Sequence, residues 1–290
     1  MDLEIKTKLI HLTHCPYMTW KAIYTLFQYD PSLENLYQYS SKDFQNLFSF
    51  SQERANRLKK DLQTIPIQAI LDNYEAEQIH CITIFDNCYP ELLRNIYDPP
   101  WVLYAKGDQS LLKYKKVISV VGTRHPTSYG HDALKAVIDP LLKKDWLIVS
   151  GLAEGIDTIA HELAIGAKSR TIAVLGSGIY NIYPSKNKSL AKLIADQHLL
   201  LSEYPPTFKP QKWYFPMRNR IISGLTLGTV VVQAKERSGS FITADQALQQ
   251  GREVFAIPGS IFDETSRGTN RLIQLGAKLI LTAEDIREEL

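Results

Sequence analysis

Nine consecutive positions, "KWYFPMRNR" (Lys212 to Arg220), interleave three cations with three aromatic rings. Neither strand alternation nor an amphipathic surface helix calls for Arg218, Asn219 and Arg220 side by side. One chemistry uses such a mixture directly. Cations follow the phosphates of a flexible single strand while its bases stack on rings, at about 1–3 kcal/mol per stacked base. Duplex recognition would instead ask for a helix or ribbon shaped to a groove. Some of the rings must also serve the core, with Trp213 and Tyr214 the first candidates.

Further anion-binding chemistry is spread over five segments, each following a short apolar run: "GTRHPTSYG" (122–130), "SGLAEGID" (150–157), "GSGIYNIYPSKN" (176–187), "KERSGS" (235–240) and "GSIFDETSRGTN" (259–270). Glycine with Ser or Thr at a helix N-terminus presents backbone N–H groups to an anion. Gly122, Arg124, Lys186, Lys235, Arg237, Ser238, Gly239 and Ser240 are therefore candidate contacts. Taken singly, each segment reads equally well as a tight turn with a helix cap. Five of them sharing Arg and Lys favour a common polyanion site.

Several enzyme classes lack their motifs. There is no G-x-x-x-x-G-K-[ST], no H-E-x-x-H, and "GSGIYN" supplies only two glycines of a dinucleotide fingerprint, after the wrong strand. Ser150, Asp157 and His161 suggest a hydrolase triad, but Asp157 and His161 lie one helical turn apart, where a local bond or dipole effect accounts for both. "HLTHC" (His11, His14, Cys15) offers no fourth metal ligand. No catalytic residue, metal or cofactor is assigned.

The elements that must position these groups change character along the chain. Residues 1–75 carry apolar residues three or four apart, with Ser and Thr as N-caps, and read as a small all-helical domain. Residues 76–290 become, after Lys115, an alternation of continuous apolar runs ("VISVVG", "WLIVSG", "TIAVLGSG", "LLLSE", "GTVVVQA", "EVFAIPG", "KLILT") with helical segments. Strands covered on both faces belong to a mostly parallel, doubly wound α/β sheet, whose ligands bind beyond the strand C-termini. Pro140 is expected to kink or break the first of these helices. The net charge of +2 over 290 residues leaves attraction of a polyanion to a local patch. No segment has the length of a membrane span, the N-terminus is acidic where a signal peptide is basic, and a cytoplasmic protein is expected.

From about Tyr89 to Ala283 the chain resembles the DNA-processing protein A (Smf) family, through "YPELLRNIYDPPWVLYAKG", "VVGTRHPTSYG", "SGLAEGIDTIAH", "TIAVLGSGIYNIYPSKN", "SEYPP", "FPMRNRIISGL", "RSGSFITADQALQQGREVFAIPG" and "GTNRLIQLGAK". The resemblance implies an extended Rossmann-like domain that binds single-stranded DNA, protects incoming DNA during natural transformation and loads a RecA-type recombinase. It implies that the N-terminal helices are a sterile-alpha-motif-like domain. Carried over by position, Arg124 is the main phosphate contact and Lys186 a second. Lys212 and Phe215 form the cation and stacking ring of the pocket mouth, and Arg218, Asn219 and Arg220 form the RNR signature. Ile273 and Leu279 fall on a face used for homodimerisation, although ordinary core packing explains them equally. Gln233 and Tyr180 stand where relatives commonly have Glu and Asp, which suits an anion pocket. A duplex-binding winged helix found in some relatives is not expected. The rival is a nucleotide-processing phosphoribohydrolase of the lysine-decarboxylase-like type. Its P-G-G-x-G-T-x-x-E signature is replaced here by "RSGSFITADQAL", with Asp245 the nearest carboxylate.

Overall fold

The computed structural model describes residues 3–290, so the first two positions of the expected 1–75 domain lie outside the described residues. The chain divides into two compact units. One runs up to Tyr89 and includes Pro100–Tyr104; the other comprises Pro90–Pro99 and Ala105–Leu290.

The first unit holds α1 (Leu3–His14), α2 (Trp20–Tyr29), α3 (Ser41–Phe48), α4 (Gln52–Thr64), α5 (Ile67–Ala76) and the strand β1 (Ile79–Thr83). It extends past residue 75 because Ile79 and Ile82 are buried and β1 packs on α1 and α5. The Ser caps read from the sequence are in place: Ser40 forms a reciprocal capping box with Asp43, and Ser51 accepts from Arg54 N–H. His14 lies with its two ring nitrogens 2.8 Å from Ile10 O and from Tyr74 Oη, and His11 Nδ1 lies 3.1 Å from Tyr37 Oη. Both imidazoles thus serve interior hydrogen bonding.

The second unit begins with α6 (Glu91–Arg94), and β2 (Val102–Gly107) leads into it. Then follow β3 (Val117–Val121), α7 (Ser128–Leu142), β4 (Leu147–Ser150), α8 (Ile156–Gly166), β5 (Thr171–Leu175), α9 (Lys188–Gln197) and β6 (Leu199–Ser202). The chain continues through α10 (Tyr214–Gly224), β7 (Gly228–Val231), α11 (Gly239–Gln249), β8 (Glu253–Ala256), α12 (Glu264–Gln274), β9 (Lys278–Leu279) and α13 (Ala283–Arg287). Within this unit the strand order is β6-β5-β4-β3-β7-β8-β9, with every neighbouring pair parallel. All residues of β3 to β7 are buried, which explains why these strands read as unbroken apolar runs. Pro140 does not break α7, which continues to Leu142. A proline removes its own N–H bond to the carbonyl four residues back, and here only Leu141 and Leu142 of the helix follow it.

Connections from β3 leave toward β4 on one side, while β7 pairs with its other edge. That reversal is the topological switch point, where doubly wound sheets open a crevice.

A buried histidine should make this unit acid-sensitive. His161 on α8 is fully buried, with Nδ1 2.7 Å from Thr171 Oγ1 and no hydrogen-bond partner for Nε2 among the described residues. Burial, with the charges of His198 and Arg218, pulls its pKa from 6.5 down to about 3. The folded state therefore holds the neutral ring while the unfolded chain binds a proton. Stability is full above pH 6.5 and falls between 6.5 and about 3, by about 1.4 kcal/mol per pH unit from this group. Melting temperatures recorded across that window should drop less steeply for His161→Gln than for the unaltered protein.

Candidate nucleic-acid interface

A groove of about 660 Å³ opens over the C-terminal ends of β3 and β7. Three segments supply most of its lining, to which the loop after β4 and the start of α8 add Ala153 and Asp157 and the loop after β5 adds Tyr183. The loop after β3 supplies Gly122, Thr123, Arg124 and His125. The approach to α10 and the helix itself supply Lys212, Phe215, Pro216, Arg218, Asn219 and Ile222. The loop after β7 and the start of α11 supply Lys235, Arg237, Ser238, Gly239, Ser240, Ile242 and Thr243.

Local constraints hold these segments together. A Cβ on Gly122 would sit 2.5 Å from Ile156 Cγ1, so only glycine lets the β3 loop pack on α8. Ser240 Oγ donates to Gly122 O at 2.8 Å, tying α11 to that loop. Ser238 caps α11 by accepting from Phe241 N–H, which leaves the helix N-terminus, with its partial positive charge, on the groove wall. Asn219 Nδ2 donates to Gly239 O at 3.3 Å and joins α10 to α11.

Arg124 and Lys212 are exposed and make no side-chain hydrogen bond or ion pair among the described residues. Their charges are uncommitted. Phe215 lies under Gly176, where a Cβ would come within 2.7 Å of its ring, and packs against Tyr183 at 5.4 Å between centroids. Tyr214 stacks on Tyr204 at 3.7 Å and serves the interior, whereas Trp213 is 63 % exposed.

The arginines of the RNR segment part company. Arg218 is buried against the groove wall, its Nη1 donating to the carbonyls of Gly151 and Val174 and its Nε to Asn219 Oδ1 at 3.0 Å. Burial pulls its pKa down and the neighbouring Asp157 carboxylate opposes this. Nε and Nη1 are thus occupied by Asn219 and by the ends of β4 and β5, while Nη2 makes no hydrogen bond among the described residues, so Arg218 offers the groove a fixed charge with one Nη free. Arg220 does not line the groove, contrary to the expectation for the signature. It is buried, with Nε 3.0 Å from Asp98 Oδ2 and Nη2 2.6 Å from Glu203 Oε1. Helical geometry explains the split: residues two apart point about 200° from one another, whereas i, i+3, i+4 and i+7 share a face. That shared face is Phe215, Arg218, Asn219 and Ile222, all groove residues.

Lys186 also lies outside the groove, 76 % exposed and 3.2 Å from Glu154 Oε2. Gln233 is fully buried and takes no part in the pocket. Its amide donates to Thr127 Oγ1 and Thr265 Oγ1 at 2.9 and 2.7 Å and accepts from Thr127 N–H, bracing the loop after β3 against the first turn of α12. The imagined triad does not assemble. Ser150 Oγ donates to Val120 O, Asp157 accepts from the N–H groups of Gly151 and Ala153, and His161 bonds Thr171. Glu154, Asp98 and Glu203 are not among the residues the sequence singles out, though "YDPP" and "SEYPP" carry the last two. Ile273 on α12 is half-buried, and Leu279 on the edge strand β9 is 42 % exposed.

A parallel sheet whose switch point opens into a cationic, ring-lined groove defines a Rossmann-like polyanion-binding protein. Residues 80–290 match the family model described as DNA recombination-mediator protein A, and the chain belongs to that family. It is 52 % identical over 241 residues to DNA processing protein DprA of Bacillus subtilis, covering 82 % of this chain and 81 % of that one. The X-ray structure of DNA processing protein A from Streptococcus pneumoniae superposes with a TM-score of 0.84 at 40 % identity, covering 97 % of this chain and 96 % of that one. The protein of the same name from Helicobacter pylori, studied for its single-stranded DNA binding mode, matches with a TM-score of 0.66 at 33 % identity, over 73 % of this chain and 95 % of that one.

Proposed function

We propose that this protein binds single-stranded DNA along the switch-point groove, protects incoming strands during natural transformation and passes them to a RecA-type recombinase. One observation carries the reading: three uncommitted cations, Arg124, Lys212 and Arg237, border the same groove as the Phe215 ring and the α11 N-terminus. The single-strand binding mode described for the Helicobacter pylori relative supports it. The protein acts by binding, without covalent chemistry. Asp157, the one carboxylate among the groove residues, is held by two backbone N–H groups beside Arg218, and Glu154 at the groove's edge is paired with Lys186, which counts against the phosphoribohydrolase reading. Among the described residues, no helix is long and apolar enough to cross a membrane.

The test is a salt titration of binding to oligo-dT and to a matched duplex. Single-strand affinity should fall with a log–log slope near −0.7 per phosphate contacted. An affinity indifferent to salt, or equal affinity for the duplex, would count against the reading.

The protein acts as a homodimer through the β9 edge, where Leu279, Leu275 and Leu281 are exposed beside Ile273. An exposed apolar edge strand is a site for pairing with a second chain. Leu279→Arg should convert the dimer to monomer in size-exclusion chromatography with light scattering while leaving the melting temperature near its original value.

A further inference from the structure

Beside the main groove lies a pocket of about 40 Å³, bordered by Arg124, Glu154, Tyr183, Phe215 and Arg218. Glu154 is the anomaly here, a carboxylate on the wall of a site built for phosphate. A phosphate placed against it would meet like charge. The volume is that of a few waters at most, enough for an amino group or a carbonyl but not for a whole base. What fits is the edge of a base whose ring rests outside.

The polar groups at this point are specific. Nε and Nη1 of Arg218 are engaged with Asn219 Oδ1, Gly151 O and Val174 O, which leaves Nη2 as its one nitrogen without a hydrogen bond among the described residues. Glu154 Oε2 lies 3.2 Å from Lys186 Nζ, while Oε1 has no hydrogen bond among the described residues. A carboxylate acceptor next to an ammonium donor complements one Watson–Crick edge best. Guanine offers N1–H and N2–H as adjacent donors with O6 as an acceptor beside them, whereas thymine sets two carbonyls around one N–H.

We propose that Glu154, with Lys186 beside it, is a specificity-determining residue that reads guanine in the bound single strand. This rests on the single-strand reading of the groove. A base stacked on Phe215 turns its edge toward Glu154, whose carboxylate accepts from N1–H and N2–H while Lys186 donates to O6. Lys186 then serves base recognition and not the phosphate chain.

The experiment compares, by fluorescence anisotropy, a strand of about 12 thymidines with the same strand carrying guanine at every third position, a length within the usual single-strand site sizes. The unaltered protein should prefer the guanine strand by roughly tenfold, the discrimination of one good bidentate contact. Glu154→Gln and Lys186→Met should each bring the ratio of the two affinities toward one. A ratio near one in the unaltered protein overturns the proposal. So does a ratio unchanged by Glu154→Gln, including the case where both strands bind more tightly, which would make the carboxylate a mere repeller of phosphate. Failure to bind either strand would instead defeat the single-strand reading itself.

Discussion

Arg124→Glu should lower affinity for oligo-dT by on the order of a hundredfold, the loss expected when a charged hydrogen-bond donor is replaced by a repelling group. The residue is exposed, borders both the groove and its side pocket, and has no other partner to satisfy. Its whole electrostatic contribution is therefore available to phosphate. The log–log salt slope should become shallower by about 0.7 for each phosphate no longer neutralised, and binding should weaken for every sequence alike. The melting temperature should hold, because no bond of the fold ends on this guanidinium. Arg218 would even be relieved, since the charge of Arg124 is one of the influences pulling its pKa down. Parallel titrations of both proteins over a range of salt make the measurement. An unchanged slope would remove Arg124 from the phosphate track.

Arg220→Ala should fail in a different way. Here about 3–5 kcal/mol of stability should disappear, the usual result of removing one member of a buried ion pair. Arg220 has a side chain 5 % exposed and holds Glu203, 17 % exposed, and Asp98, 26 % exposed. Without it, two carboxylates are left facing each other in a desolvated site. Glu203 already has its pKa raised by burial, and only Arg220 opposes that. Arg220→Lys should recover only part of the loss, because a single ammonium cannot fork to both partners. Denaturant unfolding measures the effect, and binding assays on the folded fraction separate it from recognition. If Arg220→Ala kept its stability and lost DNA, the residue would belong to the groove after all.

The two arginines sit two residues apart in one signature, and their contrast shows how far the sequence could be read. Cation and ring content pointed to this region, and Arg218, Asn219 and Phe215 line the groove. Residues 218–220 do not act as one donor-rich block, because α10 is a helix that is buried from Arg218 onward and turns its successive side chains to different neighbours. Its apolar periodicity is masked by those same polar residues, whose partners lie far along the chain. Gln233 misled similarly: it follows a strand that points at the groove, yet it turns inward to brace Thr127 and Thr265. The shift of the unit boundary past residue 75 had the same origin, since β1 joins the helices through packing that no local pattern announces.

What the sequence determined alone was local and periodic. Unbroken apolar runs demanded strands covered on both faces, and the glycine, serine and cationic residues after them demanded tight, anion-friendly turns. Strand order was left to the tertiary structure, and with it the meeting of the loops after β3 and β7 at a single groove. So was the division of charge between recognition and support. Arg124 and Arg220 are identical side chains, and only the carboxylates brought alongside Arg220 by folding decide that its charge is neutralised inside the protein while that of Arg124 remains free for a ligand.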